Sequence, residues 1–339
     1  MIDTSPSDQP RRRPTMIDVA RESGVSLKTV SRAVNSVPTL DPELASRVFA
    51  AIDKLGYRRN DVAANLRSGS TTSTIGVIIG DISNSFYSAI TAAVSDVARE
   101  NTTQVFTASA EEDAALEREL ALDLCLRRVD GLLVVPARGD QSYLAPEIAH
   151  GIPAVFVDRP PTGLEADAFL LDNAGGSAAG VAQLIDEGHT RIGVIVASLD
   201  IFTMRERLDG SEAAFAAAGM SLPPELLSTE GHGPASAAAA AHAMLGLTDP
   251  PTAFYAGNNR ALVGIVLALR RTGRSARVIG TDDFELSDLL PERVSLITYD
   301  IEQLGRLAAT RLFERIRGDA SPPQLVRLPF RVVDRGGPS

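Results

Sequence analysis

GVSLKTVSRAVN occupies residues 24–35 and sets two cationic side chains among several hydroxyl and amide side chains on one short segment. Ser26 suits the N-cap position of a helix, because its hydroxyl can accept a hydrogen bond from a backbone N–H of the first turn. We predict a helix from Leu27 to about Asn35. The full chain carries a formal charge of −10, so a local basic helix needs a specific explanation.

The segments on either side of this stretch also predict short helices. Thr15, followed three residues later by an aspartate, predicts a helix that starts with a capping box and ends at Gly24. Asp41 precedes a proline at a first-turn position, and Gly56 marks the end of a third helix. Two helices joined by a short turn that contains glycine are typical of the helix-turn-helix motif.

Charge is distributed unevenly along the chain. Residues 11–70 hold eleven Lys or Arg and six Asp or Glu, a net charge of +5, whereas residues 71–339 carry a net charge of −13. A basic head on an acidic body is typical of a nucleic-acid-binding module fused to another domain. A solvated basic helix without a partner would give the same charge pattern.

A helix-turn-helix places its second helix in the major groove of DNA, with the N-terminal residues of that helix at the base edges. Arg and Lys can bind guanine, and Ser and Thr can reach a phosphate or a base. We therefore predict double-stranded DNA as the partner. The predicted DNA-facing side chains are those of Leu27, Lys28, Thr29, Ser31 and Arg32, and those predicted to pack inward are Val30, Ala33 and Val34.

Length and composition restrict the class of protein. A chain of 339 residues with 44% hydrophobic and 22% charged residues predicts a globular protein of two or three domains. The start of the chain lacks the apolar segment of a signal peptide, and no apolar run is long enough to span a bilayer. We therefore expect a cytoplasmic location and no membrane partner. The single cysteine, Cys125, permits no intrachain disulfide and no cysteine-based zinc cluster, and we expect no metal or cofactor.

The sequence changes character after a linker of small polar residues near residue 70. Continuous apolar runs such as TIGVIIGD, AVFVDR and ARVIGTDD alternate with helical patterns through the rest of the chain. This alternation predicts an α/β fold in which parallel sheets are covered by helices on both faces. Because the number of units exceeds that of one ordinary sheet, we predict two similar lobes that divide near Asp172.

Polar side chains follow several of the predicted strands. In parallel α/β folds ligands bind in the crevice at the carboxyl ends of the strands, so these residues are candidates for a ligand site. They are Asp81, Asp158, Arg159, Asn258, Asn259, Asp282 and Asp283.

The whole chain resembles the LacI/GalR family, named after the lac and galactose repressors. TMIDVARESGVSLKTVSRAVN, at residues 15–35, is similar to the DNA-binding headpiece of that family, and the body is similar at IGVIIGDISNSFY, VFVDR, GHTRIGVI, RLDG and IGTDDF. The resemblance implies a helix-turn-helix headpiece joined to a two-lobed core like that of the periplasmic sugar-binding proteins. The implied boundaries are 1–14 for a disordered arm, 15–59 for the headpiece, 60–69 for a hinge helix and linker, and 70–339 for an effector-binding and dimerisation core, with one subdomain of about 74–172 plus 302–330 and another of about 173–300.

The resemblance also implies roles in DNA binding beyond the second helix. Leu66 would insert as an apolar wedge into the minor groove, which unstacks a base step and kinks the duplex. Asn60 and Ala63 would line the same groove, and Tyr57 would approach the DNA backbone. The remaining members of the predicted DNA-binding set are Ser26 and Asn35.

An effector site between the lobes is a further implication of the resemblance. Aspartate and asparagine accept hydrogen bonds from neighbouring hydroxyls and arginine donates two, so such a set suits a sugar or polyol. Arg205 is the predicted arginine and Arg207 its nearby alternative, while Asn259 stands where the family commonly has aspartate. The chain has no tryptophan, so only Phe or Tyr could stack on a sugar, and nucleosides or other small polar effectors stay open. The predicted effector-binding residues are Asp81, Asn84, Phe86, Asp158, Arg205, Asn258 and Asp282.

These observations predict a DNA-binding transcriptional regulator and not an enzyme. We expect a repressor that binds a palindromic operator as a homodimer and responds to a small molecule in the cleft, with the effector and the sign of control left open. A regulator controlled by a protein corepressor, with a degenerate effector site, is one alternative. An enzyme fused to a DNA-binding head is another, but DNAGGS at residues 172–177 lacks the lysine of a phosphate-binding loop, and the four histidines lack HExxH spacing.

Overall fold

The computed structural model describes residues 12, 14–34, 39–58, 72–290 and 292–336. The chain divides into two compact units, Met1–Thr72 and Ser73–Ser339, which are described separately as the head and the body. The predicted fold class, a helix-turn-helix head followed by two parallel α/β lobes, is confirmed. No helix in the described residues is long and apolar enough to cross a membrane.

Three helices form the described part of the head: α1 (Met16–Ser23), α2 (Leu27–Val34) and α3 (Pro42–Leu55). The Thr15 hydroxyl accepts a hydrogen bond from the Asp18 N–H, and the Asp18 carboxylate accepts one from the Thr15 N–H. The predicted capping box is therefore confirmed. Gly24 follows α1 and Gly56 follows α3, each with a left-handed backbone, and the Asp41 side chain caps the start of α3.

A small apolar core forms where these three helices meet. The inward positions predicted for α2 are confirmed for Val30 and Ala33, which are buried, while Val34 is half-buried. Because this side of α2 is buried, Leu27 and Lys28 in its first turn lie at the surface of the head. The buried core residues are Val19, Val30, Ala33, Val48 and Ala51.

The body consists of two lobes, each built around a six-stranded sheet. The sheet of the first lobe contains β1 (Thr74–Ile79), β2 (Gln104–Ser109), β3 (Gly131–Val134), β4 (Ala154–Val157), β5 (Asp167–Leu171) and β11 (Leu325–Leu328). The sheet of the second lobe contains β6 (Ile192–Ile195), β7 (Leu227–Ser228), β8 (Ala253–Ala256), β9 (Arg277–Thr281), β10 (Val294–Tyr299) and β12 (Phe330–Arg335).

The two sheets have the same strand order. They run β11-β5-β4-β3-β1-β2 and β12-β10-β9-β8-β6-β7, so strands one to five of each lobe occupy equivalent positions. Neighbouring strands are parallel except for β10 and β12, which are antiparallel. Each sheet has a topological switch point, between β1 and β3 in the first lobe and between β6 and β8 in the second.

Helices cover both faces of each sheet. The first lobe has α4 (Ser85–Glu100), α5 (Ala114–Leu126), α6 (Ala145–Ala149) and α11 (Ile301–Ile316), and the second has α7 (Asn173–Asp186), α8 (Phe202–Ala217), α9 (Pro234–Leu245) and α10 (Asn259–Thr272). In the first lobe α4 and α11 pack on one face and α5 on the other, and in the second α9 and α10 oppose α7 and α8. Burial on both faces explains why the central strands are continuous apolar runs.

The lobes are joined by three crossings in the described part of the body. The chain passes from β5 to α7 through Asp172, from β10 to α11 through Asp300, and from β11 to β12 through residue 329. Short connections between two domains are places where a hinge can form.

Candidate functional site

The turn between α1 and α2 requires glycine at position 24. Gly24 has a φ of 66°, and a Cβ added there would lie 3.0 Å from a terminal nitrogen of Arg47. That nitrogen donates a hydrogen bond to the Ser23 carbonyl at 2.7 Å, which ties α3 to the end of α1. Arg47 therefore holds the turn from which α2 starts.

The first turn of α2 lies at the surface of the head. The Ser26 hydroxyl accepts a hydrogen bond from the Thr29 N–H at 3.1 Å, so the predicted cap is confirmed. Leu27 is 48% exposed, and Lys28 is exposed as well. The start of this helix therefore presents an aliphatic side chain, a cation and two hydroxyls to the surroundings, the combination that reads bases and phosphates in the major groove.

The other predicted DNA-binding residues have different surroundings. Arg32 is half-buried, and one of its terminal nitrogens donates to the Thr39 hydroxyl at 2.8 Å. Ser31 is also half-buried, and the Tyr57 ring packs against the apolar core of the head. Asn35, Asn60, Ala63 and Leu66 lie outside the described residues, so the wedge and its neighbours stay predictions.

A cavity of about 620 Å³ opens between the two lobes of the body. Its walls are the loops that follow β1, β2, β3 and β4 in the first lobe and β6, β8 and β9 in the second. The cavity therefore lies at the carboxyl ends of both sheets and at both switch points, where parallel α/β folds bind ligands. Six of the seven predicted effector residues line it: Asp81, Asn84, Phe86, Asp158, Asn258 and Asp282.

The seventh, Arg205, does not line this cavity. Positions 205 and 207 are two apart on α8, which is about 200° around the axis of an α-helix, so their side chains leave on different sides. Arg205 is exposed and donates to the Leu199 carbonyl, whereas Arg207 is buried and lines the cavity. The alternative, Arg207, lines the cavity and Arg205 does not, while the role of either arginine in effector binding stays a prediction.

Arg207 forms a bidentate ion pair with Asp282. Its terminal nitrogens donate to the two Asp282 oxygens at 3.0 and 3.3 Å, and its Nε donates to Asn173 Oδ1 at 2.8 Å. Burial lowers the pKa of Arg207, but the charge of Asp282, together with Tyr299, Tyr255 and Asp158, holds the pKa above its ordinary value. The pair is thus preorganised, with donors and acceptors side by side at the cavity wall.

Asp158 lines the same cavity from the first lobe. Its side chain is buried, its carboxylate accepts no hydrogen bond from any described residue, and the nearest cationic atom is Arg159 Nε at 3.5 Å. Burial raises the pKa of Asp158 to about 6; the charges of Asp282 and Glu112 add to this shift, and those of Arg159 and Arg207 oppose it. The carboxylate therefore retains hydrogen-bonding capacity that a ligand can use.

A polar cluster on the wall of the first lobe joins Arg159, which was among the candidates for a ligand site, to Tyr87 and Glu112, which were not. Arg159 donates to the two Glu112 oxygens at 2.5 and 2.7 Å and to the Tyr87 hydroxyl at 2.9 Å. Burial raises the pKa of Tyr87, so its hydroxyl stays protonated and can also donate. Glu112 follows β2 within three residues, as Asp81 follows β1 within two, so the same rule about strand ends could have identified it.

Two ion pairs connect the lobes across the cavity. Arg260 contacts Asp81 at 2.8 Å, and Arg138 contacts Asp200 at 2.6 Å. Burial raises the pKa of Asp81, but hydrogen bonds from Ser83 and the charge of Arg260 bring it below its ordinary value. Because each pair has one member on each lobe, both contacts depend on the separation of the lobes.

Asn84 and Asn258 line the cavity as helix N-caps. Asn84 Oδ1 accepts a hydrogen bond from the Phe86 N–H at 3.1 Å, and Asn258 Oδ1 accepts one from the Ala261 N–H at 2.8 Å. Asn259 Nδ2 also donates to Asn84 Oδ1 at 3.2 Å, which is a further contact between the lobes. An aspartate at position 259 could not donate this hydrogen bond, so the departure from the family pattern has a local structural use.

Asp283 lies outside the main cavity although it directly follows Asp282. Its carboxylate accepts hydrogen bonds from Arg335 at 2.8 Å and from the Ser287 hydroxyl at 2.6 Å. It lines a separate cavity of about 400 Å³ on another side of the loop after β9. Asp283 was a candidate for the ligand site because it follows a strand, but its carboxylate is bound by Arg335 and Ser287 and does not line the main cavity.

Two family descriptions match parts of this chain. Residues 15–60 match the bacterial regulatory proteins of the lacI family, and residues 181–337 match a periplasmic binding protein-like domain. The ribose operon repressor of Escherichia coli K12 is 30% identical over 327 residues, which cover 95% of this chain and 99% of that protein.

Solved structures show the same similarity. The lac repressor dimer bound to operator and the anti-inducer ONPF aligns with a TM-score of 0.83 and 25% identity, over 95% of this chain and 98% of that one. The complex of the transcriptional regulator CelR with cellobiose aligns with a TM-score of 0.70 and 27% identity, over 96% of this chain and 100% of that one.

A helix-turn-helix head followed by a two-lobed ligand-binding body defines a class of ligand-controlled, DNA-binding transcriptional regulators. This chain belongs to the LacI family of bacterial regulatory proteins. It is a DNA-binding transcriptional repressor controlled by a small molecule, and not an enzyme.

Proposed function

We propose that this chain acts as a homodimer on a palindromic operator and responds to a sugar, polyol or related polar metabolite bound between its lobes. The observation that carries the effector part is the bidentate Arg207–Asp282 pair on the wall of a cavity of about 620 Å³. Burying such a pair costs solvation energy. A degenerate site that served only a protein corepressor would have no use for it.

The chemistry of the cavity suits neighbouring hydroxyl groups. Arg207 supplies donors, Asp282 supplies acceptors beside them, and Asp158 adds a carboxylate with no hydrogen bond from the described residues. Phe86 is half-buried at the cavity wall and offers a ring for the apolar face of a sugar. The likeness to a ribose operon repressor and to a regulator in complex with cellobiose supports this ligand class.

The proposed operator contact is the exposed first turn of α2. Leu27 and Lys28 extend from it, and the Ser26 and Thr29 hydroxyls lie beside them. Dimeric helix-turn-helix proteins bind two half-sites about one helical turn of DNA apart, and operator symmetry follows protein symmetry. The similar lac repressor structure is a dimer bound to operator, which supports the proposed stoichiometry.

Control of DNA binding would come from the separation of the lobes. A ligand that prefers one arrangement of the lobes shifts the population toward it, by no more than its difference in affinity for the two arrangements. Linkage then requires operator DNA to change the affinity for the ligand by the same factor. The Arg260–Asp81 and Arg138–Asp200 pairs are contacts whose energies change with this separation.

The DNA part is tested with the only two lysines of the chain, both in the head. Lys28 is exposed on α2, whereas Lys54 on α3 pairs with Glu22 at 2.6 Å. After selection of a duplex from a random pool, Lys28→Ala should weaken binding by about 1–3 kcal/mol, a factor of roughly 5 to 150. Lys54→Ala should weaken it much less in the same anisotropy assay. Failure to select any sequence, or equal losses in both variants, would contradict the proposal.

The effector part is tested by a thermal-shift screen of the full chain against sugars, polyols and nucleosides. A ligand at about 100 times its Kd stabilises a protein by roughly 2.7 kcal/mol. For a body of this size that corresponds to several degrees, at about 2–4 °C per kcal/mol. Addition of each hit to the operator assay then gives the sign of control. A hit that leaves operator affinity unchanged would contradict the proposed regulation.

A further inference from the structure

The cavity between the lobes carries more negative than positive side chains. Six carboxylates, four guanidinium groups and the imidazole of His232 line it, a surplus of two negative charges when the histidine is counted as neutral. Each guanidinium contacts a different carboxylate, at distances between 2.5 and 3.0 Å. The pairs are Arg138–Asp200, Arg159–Glu112, Arg207–Asp282 and Arg260–Asp81. Among the described residues, every arginine of the cavity is therefore already matched by an acid.

The two surplus carboxylates belong to Asp158 and Glu111. Asp158 is buried, and the nearest cationic atom, Arg159 Nε, lies 3.5 Å away on a guanidinium whose terminal nitrogens bind Glu112. Glu111 is exposed and forms no hydrogen bond or ion pair with any described residue. Burial raises the pKa of Asp158 to about 6, so at pH 7 the buried carboxylate is still mainly ionised.

Three helix N-termini oppose this negative surplus. The first residues of α4, α8 and α10 line the cavity, and each helix end carries about half a positive charge. The side-chain oxygens of Asn84 and Asn258 already accept hydrogen bonds from backbone N–H groups of α4 and α10. The partial charges that remain are smaller than two full carboxylate charges, so the carboxylates decide the sign of the cavity.

We propose that this cavity accepts an uncharged, polyhydroxylated ligand and rejects the phosphorylated or carboxylated counterpart of that ligand. The inference rests on the proposed function, because it names the charge class of the effector in the same cleft. Hydroxyls can donate to Asp158 and accept from Arg207 without adding charge. A phosphate would find no unmatched guanidinium, and it would have to displace a carboxylate from an existing ion pair.

The first test is isothermal titration calorimetry on the full chain at pH 7.5 and constant ionic strength. The probes are inorganic phosphate, ribose 5-phosphate and glucose 6-phosphate, with ribose and glucose as the uncharged counterparts. We expect no phosphate probe to bind the cavity, and any sugar that binds should do so at least about tenfold more tightly than its phosphate. Saturable binding of one phosphate probe per chain that is lost in Arg207→Met would overturn the proposal.

The second test asks whether removing one cavity carboxylate creates phosphate binding. Asp282→Asn releases Arg207 from its partner, so inorganic phosphate affinity should rise at least about tenfold over the wild-type chain. Asp123→Asn is the matched control, because it releases Arg127 from a 2.7 Å surface pair on α5, outside the cavity. Should Asp282→Asn fail to fold, Asp81→Asn releases Arg260 at a more accessible position. No gain in the folded cavity variant would overturn the proposal.

A parallel operator-binding assay separates this inference from the proposed function. Phosphate binding in the cavity, together with an operator response to an uncharged ligand, would refute the charge class alone. Exclusion of phosphate, together with no operator response to any ligand that binds, would refute the proposed regulation alone.

Discussion

Asp158 and Asp282 occupy equivalent positions in the two lobes, each directly after the fourth strand of its sheet and each with a φ of 69°. The N–H of Asp158 donates to the Phe169 carbonyl, and the N–H of Asp282 donates to the Ile297 carbonyl, both in the fifth strand of the same lobe. Non-glycine residues rarely adopt a left-handed backbone, and aspartate is among those that tolerate it best. The repeated conformation aims one carboxylate from each lobe at the shared cavity.

The two aspartates differ in what neutralises them. Asp282 is paired with Arg207 through two hydrogen bonds, whereas Asp158 has only the side of Arg159 at 3.5 Å. The two aspartates thus share a backbone conformation, but only the charge of Asp282 is neutralised by a bidentate ion pair. A bound ligand that donates hydrogen bonds to the Asp158 carboxylate would offset the cost of burying it without a full partner.

Asp158→Asn should change how stability depends on pH. The pKa of Asp158 rises from 3.8 to about 6 in the folded chain, so the native state binds this proton more tightly than the unfolded chain. The stability that comes from the protonated form is therefore lost as pH rises from the lower value to the higher one. Relative to wild type, Asp158→Asn should gain on the order of 1–3 kcal/mol across this window. Thermal midpoints of both proteins from pH 4 to pH 8 measure the gain.

Asp283→Asn provides the control with the opposite sign. Burial raises the pKa of Asp283, but hydrogen bonds from Arg335 and Ser287 bring it below its ordinary value. Stability from this group is present above the ordinary carboxyl pKa and is lost as pH falls, so its asparagine variant should lose most relative to wild type at pH 7. A difference between Asp158→Asn and wild type that does not vary with pH would contradict the assigned pKa.

Arg207→Met and Arg205→Met should separate the two arginines of α8. Removal of Arg207 leaves the Asp282 carboxylate without its cation, which costs about 3–5 kcal/mol when a buried pair is broken. Arg205 is exposed, so its replacement should change stability by no more than about 0.5 kcal/mol. Only Arg207→Met should abolish the effect of an effector on operator affinity. Equal responses of the two variants in melting and operator assays would contradict the assignment.

The rotation of α8 decides which of its two arginines, Arg205 or Arg207, lies at the cavity wall. Thr203, Arg207 and Ser211 lie four residues apart on one buried face of α8, and all three are polar. That face packs on α7, whose GGSAAG segment brings the two helices close together. Met204, Leu208 and Phe215 are also buried at helical spacing on this side of α8. This apolar pattern favours position 207 over position 205 for the arginine that points inward.

The ends of the helices in the head could be predicted from the nearby sequence. The capping box at Thr15, the cap at Ser26 and the glycine that ends α1 depend on residues within a few positions, and these predictions are confirmed. The Arg159–Glu112 pair joins residues 47 positions apart in sequence. No periodicity or spacing encodes such a contact, because it depends on how the loops after β2 and β4 meet in space.

Asp167→Asn should destabilise the first lobe far from the cavity. The Asp167 carboxylate accepts hydrogen bonds from Arg311 Nε at 3.0 Å, Arg315 Nε at 2.7 Å and the Gln324 N–H at 3.0 Å. Burial raises the pKa of Asp167, but these arginines outweigh it and hold the pKa below its ordinary value. Breaking a buried pair costs about 3–5 kcal/mol, and the arginines keep other partners, so we expect about 3 kcal/mol in chemical denaturation.

Asp123→Asn is the matched surface control for this change. Its pair with Arg127 spans 2.7 Å on the exposed side of α5, with both side chains more than half exposed. Exposed i,i+4 pairs contribute about 0.3–0.5 kcal/mol, so this variant should unfold close to wild type. A cost at Asp167 no larger than the cost at Asp123 would show that the buried network adds nothing to stability.

Gly24→Ala and Gly56→Ala should differ although both glycines have nearly the same backbone. Their φ angles are 66° and 63°, so each alanine carries a left-handed strain of about 1–2 kcal/mol. A Cβ at Gly56 meets no atom within 4 Å, whereas one at Gly24 lies 3.0 Å from the Arg47 nitrogen that holds the Ser23 carbonyl. Gly24→Ala must therefore also move Arg47 and loosen the turn before α2.

We expect both variants to melt at a lower temperature than wild type. Only Gly24→Ala should also lose operator affinity, as measured by anisotropy at a temperature where the heads of both variants are folded. Equal operator affinities for the two variants would show that Arg47 does not hold α2 in its DNA-binding position.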